Sequence, residues 1–243
     1  MNFWDTEPAK PVFDYDIQKR ELIENMDYLA SMTVEEQTLY KKWVELQEPN
    51  MIRDKSQISE LYDTQWMPKD INNLEQTIKE IEELDPYVEI LDDPKESTKW
   101  TYVRKMIHSM GFTANPGRNV KINVKDRKSG KLLGQISLAS DVTSMAVRDN
   151  YIGWTKDNKF VDGKLNHTTI ASTIVCTQPL GYNFLGGKLV AMMTTVPEVR
   201  NLWKEKYGQT LIAVGTTSLY GIHSQYNGIP HFKTLGESAG KIS

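Results

Sequence analysis

The sequence predicts an α+β protein in which an acidic, helical N-terminal segment precedes a mixed β-sheet flanked by helices. Two observations lead to this prediction. Residues 1–98 carry a net charge of −14 and residues 99–243 carry +11, within a total of −3 for the 243 residues. The apolar residues have helical spacing before Asn119 and alternate as in β-strands after it. We therefore predict two parts, an acidic helical segment (1–98) and a basic α/β domain (99–243).

The composition excludes several protein classes. No apolar run approaches the ~20 residues of a membrane-spanning helix, and the first residues lack the basic and apolar regions of a secretory signal. Cys176 is the single cysteine, which excludes a disulfide framework and a cysteine-based zinc site. The four histidines lack H-x-x-x-H spacing. These features predict a cytoplasmic protein with no bound metal.

The acidic segment is predicted to be a series of helices. Apolar residues at helical spacing, with prolines as terminators, predict helices over residues 14–30, 33–48, 54–66, 70–84 and 97–111. Thr33 and Glu36 form a capping-box pattern at the start of the second helix. Trp43, Trp66 and Trp100 are predicted core residues. The acidic stretch 92–94 is predicted to be a linker, because the charge changes sign close to it.

The basic half is predicted to contain a hairpin, a buried central strand and two helices before a last strand. The hairpin strands are 120–125 and 132–138, the central strand is 168–176, the helices lie within 184–207, and the last strand is 210–215. Thr195 and Pro197 predict a helix restart, and Gly208 predicts the end of that helix. The hairpin carries five cations, which predict contact with a nucleic-acid backbone: Lys121, Lys125, Arg127, Lys128 and Lys131. The alternative is a merely solvated basic face.

A glycine-containing turn joins the central strand to the next helix, over residues 178–189. Such a turn presents unpaired backbone N–H groups at a helix start, which is a site for a phosphate or pyrophosphate. The predicted cofactor-binding residues are Gln178, Gly181, Tyr182, Asn183, Gly186, Gly187 and Lys188. Leu189 excludes a Walker A loop, which needs Ser or Thr there. The alternative is that Gly186 and Gly187 permit tight helix–strand packing.

This order of elements resembles the GCN5-related acetyltransferase fold. In that family a hairpin and a central strand precede a Q/R-x-x-G-x-G/A loop, which holds the pyrophosphate of coenzyme A before a helix. Gln178 and Gly181 match the first two signature positions, and Asn183 departs from the third. The resemblance implies acetyl-CoA or another acyl donor as cofactor.

A second resemblance rests on runs of residues within about 100–243. The runs are RDNYIGW (148–154), PLGYNFLGGKL (179–189), TTSLYG (216–221), SQYN (224–227) and LGESAG (235–240). They resemble the family typified by the A protein of the Druantia anti-phage system, which is found in phages, mobile elements and defence loci. A further likeness is to Mom, a phage protein that modifies adenine in DNA and has an acetyltransferase-like fold. Both likenesses imply a role between phage and host.

Acyl transfer to an amine needs a base for the amine proton and donors to the developing oxyanion. Backbone N–H groups after the central strand can supply the oxyanion contact. The polar stretch after the last strand supplies the candidate acids and bases, namely Ser218, Tyr220, His223, Ser224, Tyr226 and Glu237. We interpret this stretch as a functional loop, and the alternative is a polar surface connection. Arg148 near a phosphate and Asp149 as a base form a second candidate set, for which the alternative is a structural ion pair.

The function predicted from these features is an acyl-type transferase that modifies a nucleobase amine in phage DNA and protects it from restriction. The charge asymmetry indicates DNA as the partner of the basic half, unless the acidic half neutralises that half internally. The target base would have to be flipped out or single-stranded. The first alternative is a non-catalytic nucleic-acid-binding module of a defence or counter-defence system. The second is a phage protein whose acidic helices bind a host protein by mimicking the charge of DNA.

Overall fold

The computed structural model describes residues 15–47, 63–108, 117–177, 179–181, 186–218 and 224–236. In these ranges the α-helices are α1 (Tyr15–Ser31), α2 (Val34–Gln47), α3 (Leu74–Glu82), α4 (Pro94–Ile107), α5 (Ala146–Ile152), α6 (Lys156–Phe160), α7 (Gly186–Met192) and α8 (Pro197–Tyr207). The strands are β1 (Pro86–Leu91), β2 (Asn119–Asp126), β3 (Leu132–Ser140), β4 (Thr168–Cys176) and β5 (Ala213–Gly215), and 3₁₀ turns cover Lys164–His167 and Met193–Thr195. None of these helices has both the length and the apolar character that crossing a bilayer requires.

The strands form one mixed sheet in the order β1-β2-β3-β4-β5. The first four strands pair antiparallel, and β5 runs parallel to β4. Helix α4 packs on one face, where Trp100 Nε1 donates to the Ile122 carbonyl at 3.0 Å. Helix α7 packs on the other face, where Val190 contacts Gly134. A mixed sheet with helices on both faces confirms the α+β class.

The main core lies between the sheet and helices α7 and α8. Strand β2 contributes alternate residues to it, and Val120, Ile122 and Val124 are almost completely buried. Strand β3 is central and is buried on both faces as far as Ala139. The residues that complete this core from the helices are Val190, Ala191, Val199 and Trp203. Removal of this apolar surface from water is the main term that stabilises the sheet against its helices.

Several sequence predictions are confirmed. The predicted hairpin corresponds to β2 and β3, and the predicted central strand has the same bounds as β4. Thr33 and Glu36 form the capping box, with the Thr33 amide donating to Glu36 at 2.8 Å and the Glu36 amide donating to Thr33 Oγ1 at 3.2 Å. Gly208 ends α8 in the left-handed region, at φ 72°. Trp66 and Trp100 are buried, as predicted for core residues.

The region around residue 92 differs from its prediction. Strand β1 was not predicted, yet it pairs with β2 along its whole length. Asp93 is the N-cap of α4 and accepts from the Lys95 amide at 2.6 Å, so the acidic stretch read as a linker begins a helix. The proposed division between residues 98 and 99 falls inside α4. Cap chemistry and linker chemistry use the same residues, Asp and Pro, which explains the difference.

Three other predictions differ in extent. Residues 63–66 are not helical, and Gln65 forms a bridge to Leu132 at the start of β3. The predicted cap of α8 was Thr195, whereas the N-cap is Val196, with Pro197 at the first helical position. The last strand is limited to the three residues of β5, although its prediction began at residue 210.

Candidate functional site

The strands β4 and β5 separate after a short parallel pairing, and this separation is the candidate site. The pairing joins Thr168 to Ala213 and ends where Ile170 meets Gly215. Beyond Ile170, no strand of the described ranges pairs with the edge of β4 that faces β5. Strand β4 also bulges at this point, because its register with β3 skips Ser172, which is exposed. Unpaired strand backbone offers N–H and C=O groups to a ligand.

Tyr226, one of the predicted catalytic residues, lies at this separation. Its hydroxyl is 3.3 Å from Thr216 Oγ1, and that oxygen is 3.4 Å from the carbonyl of Ala171, the first residue of β4 beyond the pairing. The Tyr226 ring stacks on Phe232 with ring centroids 6.1 Å apart. The geometry therefore holds a phenol, a group able to give or accept a proton, where the two strands part.

The glycines after β4 are in close contact with protein atoms. A Cβ at Gly181 would collide with the Cys176 thiol, and one at Gly186 would lie 2.6 Å from Leu180 Cγ. A Cβ at Gly187 would lie 2.5 Å from Gln225 Oε1. Tight packing thus accounts for all three glycines. Assignment of these glycines to a cofactor stays a prediction, and Gln178, Tyr182 and Asn183 lie outside the described residues.

Three neighbouring side chains complete this region, those of Lys188, Cys176 and Thr177. Lys188 Nζ donates to the Asn227 carbonyl, which ties α7 to the turn that carries Gln225. Burial raises the pKa of the Cys176 thiol, which agrees with the predicted role of an unreactive core cysteine. Thr177, the residue that follows β4, has a fully buried hydroxyl with no hydrogen-bond partner among the residues that the structure describes. A buried polar atom of this kind is uncommon and requires an explanation.

The turn between β2 and β3 lies at the same end of the sheet, because the Thr177 amide donates to the Leu133 carbonyl at 2.9 Å. Asp126 organises this turn by accepting from the Ser129 amide and hydroxyl at 2.9 and 2.6 Å. Burial opposes ionisation of Asp126, but these hydrogen bonds outweigh it and lower its pKa. Arg127, Lys128 and Lys131 are displayed by the turn. Arg127 forms an ion pair with Asp85 at 3.4 Å, Lys131 Nζ donates to the Asp63 carbonyl, and Lys128 is exposed.

Lys121 and Lys125 do not lie on a solvated basic face. Lys121 Nζ points at α4 and donates to Thr101 Oγ1 and to Ser97 Oγ at 2.7 and 2.8 Å. Burial lowers the pKa of Lys121. Lys125 pairs with Glu89 on β1 at 2.7 Å. Helix α4 and Glu89 thus supply protein partners for these two lysines, and their contact with a nucleic acid stays a prediction.

Arg148 and Asp149 belong to a buried network of four charges. Arg148 pairs with Asp141 at 2.8 Å and with Asp149 at 2.6 Å, and Lys159 pairs with Asp149 at 2.5 Å. Thr168 Oγ1 donates to Asp141 at 2.5 Å. We call these four charged residues the ion network. It joins α5 and α6 to the ends of β3 and β4, which supports the structural-pair alternative over roles in phosphate binding and base catalysis.

The lowered pKa of Asp149 also supports a structural ion pair over a role as catalytic base. Burial disfavours its charged form, but hydrogen bonds from Lys159 and Arg148 outweigh that effect and lower its pKa. A general base works best when its pKa lies near the working pH. A carboxylate that is held ionised by two cations is therefore a poor base.

The other predicted catalytic residues are dispersed or lie outside the described ranges. Ser218 is exposed, three residues after β5. Ser224 Oγ accepts from the Tyr226 amide at 3.1 Å and so shapes the turn before the phenol. Tyr220, His223 and Glu237 lie outside the described residues. Ser172 and Thr216 were missed, since a bulge and a strand separation leave no local sequence pattern. Asp141 and Lys159 were missed because they are distant in sequence from Arg148.

A double substitution tests the packing role of Gly187. Gly→Ala in a helix normally stabilises by about 1 kcal/mol. In Gly187→Ala we expect no gain, because the new Cβ meets Gln225. In a Gln225→Ala background the gain should return, and urea unfolding of the four proteins measures this coupling. Equal effects in the two backgrounds would contradict the contact.

Comparison with known protein families gives a match over most of the chain. The sequence model of the family described as "DruA: Druantia protein DruA" matches residues 36–241. The Druantia protein DruA of Escherichia coli (strain UMEA 4076-1) is 33% identical over 150 residues, which cover 54% of this chain and 35% of that protein. The match thus spans about a third of that relative's length. No solved structure gives a significant match.

Proposed function

The chain belongs to the family of the Druantia protein DruA, which is associated with phage defence, and on that premise we propose that it transfers an acyl-type group to a nucleobase amine of DNA. The observation that carries this proposal is the position of Tyr226 where β4 and β5 part. The strand order, with a helical crossover before a parallel strand, supports a fold of the GCN5-related acetyltransferase type. Cofactor, acceptor and reaction are all parts of the proposal.

The residues at the end of β4 offer polar groups that an acyl donor could bind. Within the described ranges the buried Thr177 hydroxyl has no hydrogen-bond partner, and a polar group of a bound donor would satisfy it. The unpaired edge of β4 and the exposed bulge at Ser172 offer further backbone contacts. Thr177 and the edge of β4 beyond Ile170 would hold the donor. A bound acyl-CoA would supply an activated thioester carbonyl.

In the proposed reaction, residues of the chain would stabilise the oxyanion and transfer protons. Backbone N–H groups of β4 beyond the pairing with β5 would donate to the oxyanion, the type of stabilisation that preorganised amides provide. Tyr226 Oη would give its proton to the departing thiolate and regain one from the newly acylated nitrogen, so that the phenol is restored. Phe232 stacking with the Thr216 contact would hold its ring for that step. Ser172 is exposed at the bulge, and its hydroxyl donates to the Ser137 carbonyl of β3 at 3.4 Å, so we give it no role toward the incoming amine.

DNA as the acceptor is supported by charge. Residues 99–243 carry +11, and the exposed Lys128 lies at the end of the sheet where β4 ends. A second candidate function is a non-catalytic nucleic-acid-binding module. It is favoured by the contacts of Gly186 and Gly187 with Leu180 and Gln225, which occupy the space beside the predicted anion loop.

The proposal predicts that Tyr226→Phe lowers kcat by about 100-fold, because a positioned proton donor contributes a factor of this size. The assay incubates the purified chain with acetyl-CoA and single-stranded DNA and detects acylated nucleosides by mass spectrometry. Tyr207→Phe is the matched control, since its hydroxyl contacts only the Asn119 carbonyl among the described residues. We expect the control to retain the wild-type rate.

Three results separate the two functions. Acylated nucleosides that require Tyr226 support the transferase. Unchanged nucleosides in this assay and in DNA from cells that express the chain contradict it. DNA binding that weakens with salt, without binding of acetyl-CoA in calorimetry, supports the non-catalytic module.

A further inference from the structure

One face of helix α8 carries two exposed cations that form no ion pair with an acidic residue of the described ranges. Residues 200, 203, 204 and 207 stand at positions i, i+3, i+4 and i+7, so their side chains lie next to one another along the helix. Trp203 and Tyr207 pack toward the core with their rings 4.7 Å apart, and Arg200 and Lys204 are exposed beside them. The ion pairs of the described residues include neither of these cations.

Arg118, the residue before β2, joins this face from the sheet. Its guanidinium carbon lies 4.8 Å from the Tyr207 ring centroid and 5.8 Å from that of Trp203. Its Nη1 donates to the Asn166 carbonyl at 3.1 Å, while Nε and Nη2 have no hydrogen-bond partner among the described residues. A guanidinium stacked on an aromatic ring is held in position and offers its remaining N–H groups to an anion. We call Arg118, Arg200 and Lys204 the α8 cations.

The α8 cations repel one another without an acidic partner in the described part of the chain. Arg200 and Lys204 are four residues apart, a spacing at which like charges destabilise a helix. Arg118 lies against Tyr207, the i+3 neighbour of Lys204, and so adds a third positive charge. The two glutamates of α8 are at least about 100° around the helix from Arg200 and Lys204. A local charge imbalance of this kind is typical of a functional position.

The α8 cations lie on the same side of the sheet as the candidate site. Tyr207 and Tyr226 both pack against the core that lies between the sheet and helices α7 and α8. Asn166, which accepts from Arg118, is two residues before β4. The separation of β4 from β5 begins after the third residue of β4. The cations are therefore close, along the chain, to the point where the two strands part.

We propose that the α8 cations bind backbone phosphates of a nucleic acid strand, and the choice of DNA rests on the function proposed above. Residues 99–243 carry +11, yet Lys121 and Lys125 of the hairpin already bind protein groups. The α8 cations supply positive charge that no described acidic residue pairs with. Arginine binds phosphate through a planar pair of N–H groups, and each phosphate that a cation neutralises releases a counterion. A strand bound on α8 would reach the separation of β4 and β5 along the same side of the sheet.

Fluorescence anisotropy with a labelled single-stranded oligonucleotide, without acyl donor, is the first test. Arg200→Gln with Lys204→Gln should raise the dissociation constant by about tenfold or more and reduce the steepness of log K against log salt by about 1.4, because each phosphate contact to a single strand contributes about 0.7. Lys79→Gln with Lys206→Gln is the matched control, since it removes the same charge from exposed positions, one of them paired with Asp92. Unchanged or tighter binding by the Arg200 and Lys204 variant, equal losses in both variants, or no binding by the wild type overturns the proposal.

A charge-retaining exchange separates phosphate contact from an effect on folding. Arg200→Lys with Lys204→Arg keeps both charges and should bind the oligonucleotide as the wild type does. The glutamine variant should melt at or above the wild-type temperature, because it relieves the repulsion between like charges. A loss of affinity shared by the charge-retaining variant, or a lower melting temperature of the glutamine variant, would assign these side chains to the fold and overturn the proposal.

Two further measurements keep this proposal distinct from the transferase proposal. Tyr226→Phe should bind the oligonucleotide as the wild type does. Binding through the α8 cations by a chain that acylates no nucleoside contradicts the transferase and supports the phosphate site. Polyglutamate that displaces the oligonucleotide as well as a DNA competitor of equal charge would assign α8 to an acidic protein and overturn the nucleic-acid site.

Discussion

Asp149→Asn is expected to lower the free energy of unfolding by about 3 kcal/mol, because it leaves three buried charges with a net charge of +1. Asp149 accepts from Arg148 at 2.6 Å and from Lys159 at 2.5 Å. The amide keeps the shape of the side chain but not its charge. Arg148 and Lys159 then keep their desolvation cost, and Asp141, which pairs with Arg148, is the one carboxylate left in the network. Urea unfolding followed by circular dichroism measures the loss. Asp157→Asn, an exposed change in α6, should alter stability by less than about 0.5 kcal/mol.

The same contact has a defined pH dependence. The pKa of Asp149 is lower in the folded chain than in the unfolded chain, where the usual value is about 3.9. Its contribution is therefore complete at neutral pH and is lost as the pH falls below about 4 through the folded-state pKa. The difference in unfolding free energy between wild type and Asp149→Asn should shrink over that range. A difference that stays constant down to pH 2 would contradict an ionised Asp149 in the network.

Gly134→Ala is expected to destabilise the chain by about 3 kcal/mol, at the upper end for overpacking of a core. A Cβ at this position would lie 2.6 Å from the Val175 carbonyl oxygen and would overlap the Val190 side chain. The carbonyl belongs to β4 and cannot rotate away, so either the sheet must open or α7 must move off it. Because α7 follows the turn after β4, we also expect ligand binding at that turn to weaken.

Gly215→Ala is the matched control for Gly134→Ala. Gly215 is also a strand residue, and its Cβ would meet the Thr169 carbonyl at an ordinary 3.7 Å. This change should leave stability within about 0.5 kcal/mol of wild type. Thermal unfolding of the two variants side by side gives the comparison. Equal melting temperatures would show that the sheet and α7 yield more easily than the contacts at Gly134 indicate.

The elements that the sequence predicts well are those with a strong local pattern. The alternation of residues 120–125 and the β-branched run of residues 168–176 predict β2 and β4 because strand burial imposes a period of two or a continuous apolar run. Strand β1 was missed because all its residues except Leu91 are half-buried at the edge of the sheet. Its sequence therefore lacks the clear pattern of a strand with one buried face.

In the candidate site, too, some residues could be predicted from the sequence and others could not. The sequence placed Tyr226 among the catalytic candidates, and the structure brings its hydroxyl to the strand separation. Nothing local to Ser172 indicates a bulge, because a bulge is a property of the register between β4 and β3. Lys121 and Lys125 look like solvent-facing cations in an alternating strand. Only the packing of α4 and the pairing with β1 show that their ammonium groups bind other residues of the chain.

The sequence by itself determined the α+β class, the main strands and the family, because periodicity and short motifs are local properties of the chain. The tertiary structure decided which charges are paired. Asp141, Arg148, Asp149 and Lys159 are separated by up to 18 positions, and their common burial depends on the meeting of two helices with two strands. Electrostatic energy depends on distance and burial in three dimensions, and neither can be read from the order of residues.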